Sequence, residues 1–248
     1  MKLTVVGYWG GFPGKSEATS GYLLEKDGFY LLIDCGSAVV SQLQQYIDLA
    51  QLNAVILSHY HHDHVADIGP LQYGRLISGI LNQTNELLPI YGHNQDPKFQ
   101  TLTYKNVTVG QTYDPNQPLT IGPFSISFLK TNHPVECYAM RITDGNHSVV
   151  YTADSSFKEQ FIPFSMNTDL LLCECNLYAN QDGKSVGHMN SLDAATIANE
   201  ANVKELCLTH LPHFGNHQQL VDEAKTIYKG NISLAHAGRI WEFTKACK

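Results

Sequence analysis

Short apolar segments recur along the chain. In most of them apolar and polar residues alternate or β-branched residues dominate, and both patterns are typical of β-strands. We predict strands at 2–7, Tyr22–Glu25, Phe29–Asp34, Asn53–Leu57, Leu88–Tyr91, Phe124–Lys130, Tyr138–Thr143, Ser148–Thr152, Leu170–Cys175 and Glu205–Leu208. The polar segment 94–118 holds one or two more short strands, and two others close the chain.

Longer segments carry apolar residues three and four positions apart, which places them on one face of a helix. We predict helices at Val39–Leu49, Leu71–Leu81, 192–201 and His217–Tyr228, with Ser191 as the N-cap of the third. Strands alternate with helices in both halves, and no linker or repeat divides the chain. This order predicts one α/β domain, 1–248, in which two mixed sheets carry helices on their outer faces.

Composition is that of an ordinary soluble enzyme. Hydrophobic residues make up 43% and charged residues 16% of the 248 positions. No apolar run reaches the roughly 18 to 20 residues that span a bilayer, and the N-terminus enters the first strand without a signal-peptide arrangement. We therefore expect a cytoplasmic protein without membrane contacts. In that compartment disulfides are rare, so we expect reduced thiols at Cys35, Cys137, Cys173, Cys175, Cys207 and Cys247.

The segment Ser58-His59-Tyr60-His61-His62-Asp63-His64 concentrates metal-competent side chains directly after an apolar strand. Imidazole and carboxylate are ligands for zinc, and manganese accepts the same nitrogen and oxygen donors. A histidine-rich surface loop would be the alternative, but ligands that leave a rigid strand end can be aimed at one point. His62 lies between the candidate ligands, and we expect it to point away.

Four more residues whose side chains can bind metal ions follow predicted strands or precede predicted helices: His133, Asp154, His188 and His210. Asp34 ends another strand. Because functional groups gather on loops that a rigid scaffold positions, we expect these side chains to share a site with the histidine-rich segment. Cys173 and Cys175 lack the spacing usual for cysteine metal ligands. We assign His93 to the surface, although a place at the edge of a cleft is the alternative. The glycine-rich segment 10–14 is either a ligand-binding loop or an ordinary connector.

His59-x-His61-x-Asp63-His64 resembles the H-x-H-x-D-H signature of the metallo-β-lactamase superfamily. The full set of motifs is most similar to the branch that contains short-form tRNase Z and related phosphodiesterases. The resemblance implies a four-layer αββα sandwich with two mixed β-sheets and a site for two divalent metal ions, Zn²⁺ or Mn²⁺. It implies that one ion is held by His59, His61 and His133, the second by Asp63, His64 and His210, and that Asp154 bridges both.

The resemblance also implies the reaction. Two metal ions that share a hydroxide suit hydrolysis of a phosphodiester. His188 resembles the histidine of the tRNase Z branch that protonates the leaving oxygen, and Glu174 is a candidate to orient it. Asp63 counts as a catalytic residue as well as a ligand. Asp34 resembles the acid of the superfamily's D-x-G element, which accepts hydrogen bonds from metal ligands without binding the metal itself. His213 is a weaker candidate for a residue of the cleft.

The substrate stays open at this stage. Related tRNA processors carry a long arm between the third histidine motif and the bridging aspartate, whereas only 21 positions separate His133 from Asp154 here. A net charge of −7 also provides little attraction for a nucleic-acid backbone. A cyclic nucleotide or other small phosphodiester is therefore a rival to tRNA, although a homodimer could rebuild a positive groove. A thioesterase of the glyoxalase type is a further alternative.

Overall fold

The computed structural model describes residues 1–244. The pattern of internal contacts divides the chain into two compact units, Met1–Asp114 with the chain from His236 onward, and Pro115–Ala235. Within the described residues each unit contains one seven-stranded sheet with parallel and antiparallel pairs. Two mixed sheets agree with the pattern of the sequence. The expectation of a single domain over 1–248 stays a prediction.

The first unit opens with an antiparallel meander and continues with parallel strands. Its strands are β1 (Lys2–Gly7), β2 (Gly21–Lys26), β3 (Phe29–Ile33), β4 (Ala54–Ile56), β5 (Leu88–Gly92), β6 (Thr108–Thr112) and β14 (Ile240–Glu242), arranged in the order β14-β1-β2-β3-β4-β5-β6. The pairs from β3 to β6 are parallel. Its helices are α1 (Val39–Leu43), α2 (His62–Val65) and α3 (Ile68–Ile80). Apolar residues of α1 and α3 form one buried cluster with residues of β2 to β5.

The second unit repeats this plan. Its strands are β7 (Leu119–Ile121), β8 (Phe124–Lys130), β9 (Tyr138–Thr143), β10 (Ser148–Tyr151), β11 (Leu170–Glu174), β12 (Glu205–Thr209) and β13 (Asn231–Leu234), arranged in the order β13-β12-β11-β10-β9-β8-β7. Its helices are α4 (Phe161–Ser165), α5 (Ser191–Glu200) and α6 (His217–Ala224). The pairs from β10 to β13 are parallel, so the carboxyl ends of β10, β11 and β12 meet at one edge of the sheet.

The helices predicted over Leu71–Leu81 and His217–Tyr228 are observed over Ile68–Ile80 and His217–Ala224. Two other helix boundaries differ from the prediction for local reasons. The helix predicted over Val39–Leu49 ends at Leu43, because Asp48 caps a separate 3₁₀ turn, Leu49–Gln51, with its side chain. The helix predicted to follow a Ser191 cap begins at Ser191 itself, and Asn190 is the cap. The Asn190 side chain accepts hydrogen bonds from the amides of Leu192 and Asp193. Ser191 instead donates its hydroxyl to Glu223.

Five cysteines, Cys35, Cys137, Cys173, Cys175 and Cys207, are free and buried. Cys247 lies outside the described residues. Burial raises the pKa of the Cys173 and Cys175 thiols well above the usual range, which disfavours the thiolate form that binds metals. Among residues 1–244 we find no helix with the length and apolarity that crossing a membrane requires.

Candidate metal centre

The histidine-rich segment leaves β4 in an extended conformation and then turns into α2. His61 is the residue before the helix, with φ −65° and ψ 151°, while Asp63 and His64 lie within it. His59 and His64 are fully buried, and His62 is exposed as predicted. The ring centroids of His59 and His61 are 4.8 Å apart, and His64 Nε2 lies 3.6 Å from Asp63 Oδ2. The His59 and His64 ring centroids are 4.1 Å apart, so one strand end and one helical turn bring the predicted ligands of this segment together.

Asp34 anchors this segment from the neighbouring parallel strand. Its buried carboxylate follows β3 and accepts hydrogen bonds from the Ser58 amide at 2.8 Å, the Ser58 hydroxyl at 2.8 Å and His64 Nδ1 at 2.7 Å. Because the Ser58 hydroxyl donates to Asp34, it accepts from His59 Nδ1 at 3.0 Å. Both imidazoles therefore use Nδ1 for support, which leaves Nε2 as the ligand atom. The predicted contact between Asp34 and this ligand set is confirmed.

The glycine-rich loop after β1 has a role that the sequence left undecided. The Gly11 amide donates a hydrogen bond to Asp63 Oδ2 at 2.7 Å. Gly11 has φ +74°, a conformation that side chains disfavour. The loop is fixed at its base, because Glu17 accepts hydrogen bonds from both Tyr8 and Trp9. A backbone amide thus orients one oxygen of a predicted metal ligand.

In the second unit Asp154 lies close to two histidines that come from different loops. Its Oδ2 atom is 3.3 Å from His210 Nε2 and 3.9 Å from His133 Nε2. The backbone conformation is unusual at this strand edge, since Ala153 has φ 51° and His210 has φ 53°. Left-handed backbone at non-glycine residues costs roughly 1–2 kcal/mol each and concentrates at functional sites. The unfavourable backbone conformation at Ala153 and His210 is therefore the local cost of directing the Asp154 and His210 side chains to this point.

His133 is held by a backbone carbonyl. Its Nδ1–H donates to the carbonyl oxygen of Gly187 at 3.1 Å. A Cβ atom at Gly187 would lie 2.9 Å from His133 Nδ1, and Gly187 has φ +76°, so glycine is required for this contact. Burial lowers the pKa of the His133 imidazole, although the Asp154 carboxylate and the Gly187 carbonyl oppose that shift. The neutral imidazole that results is the form that binds metal ions.

His188 contacts Glu174, as the sequence predicted. Its Nδ1 atom lies 2.9 Å from Glu174 Oε1, and Glu174 is fully buried at the end of β11. The same carboxylate accepts hydrogen bonds from the amides of Ser155 and Asn176. The His188 and His210 rings stack with centroids 5.3 Å apart. A buried carboxylate therefore fixes the ring of His188 beside the pair formed by Asp154 and His210.

The donor set fits divalent metal ions. Within the second unit the ligand atoms of Glu174, His188 and His210 lie within 4.8 Å of one another. Two ligands of one tetrahedral zinc ion are roughly 3.4 Å apart, and the measured separations of 3.3, 3.6 and 3.9 Å are close to that value. All donors are nitrogen or oxygen, which suits Zn²⁺ and also Mn²⁺.

The other histidines take no part in these groups. His93 is buried, so its assignment to the surface is wrong; it packs edge-on against the Tyr60 ring. His213 is exposed. His147, His217 and His236 make local contacts with Asp144, Pro212 and Ala237. Sequence patterns missed the amide of Gly11 and the carbonyl of Gly187, because backbone groups have no signature beyond the glycine itself.

Two cavities adjoin the second unit's site. One of about 430 Å³ is lined by His188, Asn190 and Asp193 among others. Another of about 660 Å³ is lined by His133, Asn132 and Pro134 among others. Both share three lining residues, Ser156, Phe157 and Lys184. These volumes are typical of small-molecule sites.

Comparison with known proteins places the chain in a family. The family described as "Beta-lactamase superfamily domain" matches residues 30–211. The probable metallo-hydrolase YhfI of Bacillus subtilis is 60% identical over 98% of this chain and 100% of its own length. Its crystal structure, of a metallo-beta-lactamase fold protein, superposes with a TM-score of 0.96 over 97% of this chain and 98% of that one.

More distant relatives indicate the branch. A ribonuclease Z of Sulfolobus acidocaldarius is 25% identical over 92% of this chain and 94% of its own length. The short form of human tRNase Z, at 19% identity, shares the fold with a TM-score of 0.77 over 98% of this chain and 99% of that one. The predicted α/β metallo-β-lactamase fold is thereby confirmed. The chain belongs to the beta-lactamase superfamily, in the branch of metallo-hydrolases that includes ribonuclease Z.

Proposed function

We propose that the protein is a dinuclear metal-dependent phosphodiesterase that acts on small phosphodiesters. The observation that carries the proposal is the second unit's site, where one carboxylate faces two histidines and a third, carboxylate-held histidine lies beside them. As the resemblance implies, one ion is held by His59, His61 and His133, the other by Asp63, His64 and His210, and Asp154 serves both. Zinc is the expected metal, and manganese is the alternative.

The chain's own residues supply orientation and a proton. When bound, two divalent ions provide a nucleophile at neutral pH and offset the charge that develops on the phosphoryl oxygens. Glu174 accepts from Nδ1 of His188, so the proton that His188 delivers to the leaving oxygen is on Nε2. An alkoxide leaves poorly without such a proton, and a positioned acid typically contributes 10²–10⁴-fold. Asp63, held by the Gly11 amide, acts in catalysis as well as ligation.

Three observations favour a small substrate. The two cavities beside His188 and His133 have the volume of a small-molecule site. The 20 residues between His133 and Asp154 include a tight hairpin, in which β9 pairs with β10, where related tRNA processors have a long arm. The net charge of −7 gives little attraction for an extended phosphate backbone. Lys184, at both cavities, offers a cation to a single phosphate.

The test compares kcat/KM for a cyclic nucleotide, bis(p-nitrophenyl) phosphate and a tRNA precursor at one salt concentration, with zinc and with manganese. We expect the small diesters to be the better substrates, and Lys184→Ala to raise KM for the cyclic nucleotide about tenfold. Lys204→Ala, which removes a surface ion pair with Asp169 in the same unit, is the matched control. Lack of any phosphodiester hydrolysis by the metal-loaded protein would refute the proposal.

Endonucleolytic processing of tRNA is the second candidate, because a ribonuclease Z aligns with most of the chain. Efficient, salt-sensitive cleavage at the 3′ side of a tRNA body would favour it over the small substrate. A thioester belongs in the same panel, since a thioesterase of the glyoxalase type shares the signature. Turnover of the thioester alone would move the assignment to that class.

A further inference from the structure

Two cavities of the second unit share a wall. One, of about 430 Å³, lies beside His188, and the other, of about 660 Å³, lies beside His133. We name them the His188 cavity and the His133 cavity. Both are lined by Ser156, Phe157 and Lys184. A phosphodiester carries two ester oxygens, one that leaves and one that stays, so two adjoining cavities match the two sides of such a substrate.

The linings of the two cavities differ in charge. Asp182 and Asp193 line the His188 cavity, whereas Lys184 is the sole Asp, Glu, Lys or Arg in the described lining of the His133 cavity. Because Lys184 contributes to both, the His188 cavity has a net charge of −2 + 1 = −1 and the His133 cavity has a net charge of +1. A phosphate is therefore repelled from the His188 cavity and attracted to the His133 cavity.

The loop between β11 and α5 gives the His188 cavity neutral polar groups. Asn180 and Gln181 line it, and an amide side chain both donates and accepts hydrogen bonds. The loop is held in place, because the Gln181 carbonyl accepts from the Asn190 side chain at 3.1 Å. Any Cβ atom at Gly183 would overlap with the carbonyl oxygen of His188, so this close approach requires glycine. The cavity therefore has a defined polar wall next to His188.

His188 decides which cavity receives the leaving group. Under the proposed function, the bond between phosphorus and the leaving oxygen breaks, and its electron pair stays on that oxygen. His188 Nε2 gives the oxygen a proton, while water supplies hydroxide to phosphorus and a proton that restores His188. Since Glu174 engages Nδ1 at 2.9 Å, the leaving oxygen lies within hydrogen-bond distance of Nε2. The group attached to that oxygen then extends into the His188 cavity.

We propose that the His188 cavity binds the leaving side of the substrate and selects a neutral nucleoside without a further phosphate. The assignment rests on the proposed function and names its substrate more closely. Phe157, half-buried at the shared wall, offers an aromatic face on which a nucleobase stacks. The amides of Asn180 and Gln181 suit the polar edge of that base. A volume of about 430 Å³ accommodates one nucleoside and is too small for an oligonucleotide.

Thymidylyl-(3′→5′)-thymidine tests the charge selection with the metal-loaded protein, since its products identify which thymidine leaves. We expect a second phosphate on the leaving thymidine to lower kcat/KM at least about tenfold, and the same phosphate on the retained thymidine to lower it less than about twofold. Asp182→Asn should recover at least about threefold of that loss, because it removes one negative charge and keeps an acceptor for the Lys184 amide. Asp222→Asn, at an exposed carboxylate of α6 in the same unit, is the matched control and should recover nothing.

Thymidine itself gives a readout that needs no turnover. In an NMR titration of the metal-loaded protein, Phe157→Ala should weaken thymidine binding about tenfold, because the aromatic face is lost. Phe157→Tyr keeps that face and should bind thymidine like the wild type. Circular dichroism checks that each variant is folded. Thymidine that fails to bind, or that binds the wild type and Phe157→Ala equally, would overturn the nucleoside assignment.

Turnover of bis(p-nitrophenyl) phosphate separates this proposal from the proposed function. If that diester is hydrolysed while a second phosphate has the same effect on either thymidine, the role of the His188 cavity is wrong and the phosphodiesterase assignment stands. If Asp182→Asn leaves the selectivity unchanged, the acidic lining is not its origin, and the proposal fails in the same way. If no diester is hydrolysed, both proposals are refuted together.

Discussion

The two units place their metal-competent side chains at strand ends by different routes. In the first unit the four candidate ligands lie within the segment 59–64, on one strand end and the helical turn after it. In the second unit His133, Asp154 and His210 follow three separate strands, β8, β10 and β12. A local sequence motif defines the first set. The parallel order of β10, β11 and β12 brings Asp154, Glu174 and His210 together.

Their anchoring differs as well. A buried carboxylate, Asp34, supports His64 directly and His59 through Ser58. In the second unit a backbone carbonyl supports His133, while the buried carboxylate, Glu174, holds His188, which is not a predicted ligand. Under the proposed function, the first unit's carboxylate would serve metal affinity and the second unit's carboxylate would serve proton transfer. Five substitutions test this division, and they form four groups that are ordered by the size of the expected effect.

Asp154→Asn should have the largest effect. Because Asp154 faces both His133 and His210, we expect the loss of at least one metal ion per chain and a fall in kcat of at least about 1,000-fold. Elemental analysis and steady-state kinetics measure both. The control is Asp144→Asn, a buried carboxylate of the same unit that accepts from backbone amides of a hairpin turn. Full metal content in Asp154→Asn would remove Asp154 from the ligand set.

His188→Ala should retain metal and lose activity selectively. We expect a loss of about 10²–10⁴-fold on a diester with an alkyl leaving group, and a much smaller loss on an activated aryl diester, which needs no proton. Glu174→Gln should follow the same pattern with a smaller effect, because it disturbs only the orientation of His188. Equal losses on both substrates would exclude the acid role.

Asp34→Asn should weaken metal binding in the first unit. Asparagine cannot accept all the hydrogen bonds that the carboxylate takes from Ser58 and His64, so we expect metal affinity to fall about 10–100-fold. Competition with a chromogenic chelator measures it. Asp67→Asn provides the control, because the Asp67 carboxylate in the same unit accepts from the Val40 amide. If both variants bound metal like the wild type, the anchoring role of Asp34 would be wrong.

Asn190→Ala should have the smallest effect, on stability rather than metal binding. Loss of the N-cap of α5, which follows the His188 loop, should lower the free energy of unfolding by about 1 kcal/mol in urea titrations. Asn190→Ser keeps a capping oxygen and should recover most of that stability. A large loss of metal in Asn190→Ala would indicate that the cap also fixes the metal centre, and would contradict the expectation that its effect is confined to stability.

Much of the fold follows from the sequence. Alternation and β-branched residues predicted β8 and β9 with their observed limits, Phe124–Lys130 and Tyr138–Thr143. These strands are formed by short-range patterns that any sheet requires. The histidine-rich segment could also be predicted as a metal-binding segment, because its candidate ligands are adjacent in the chain. The contacts of Asp34 and Glu174 could be anticipated from acids at the ends of apolar strands.

Tertiary structure decided what the local pattern left open. Asn190 and Ser191 are both good caps, and the choice fell to Asn190 because Glu223, 32 positions away from Ser191, takes the serine hydroxyl. His93 is buried by packing against Tyr60, and no periodic pattern in the sequence predicts this contact. Gly11 and Gly187 contribute a backbone amide and a backbone carbonyl, and every residue has both groups. Their roles arise only when the chain brings Asp63 and His133 within hydrogen-bond distance, since a sequence specifies side chains and the fold specifies which backbone groups they meet.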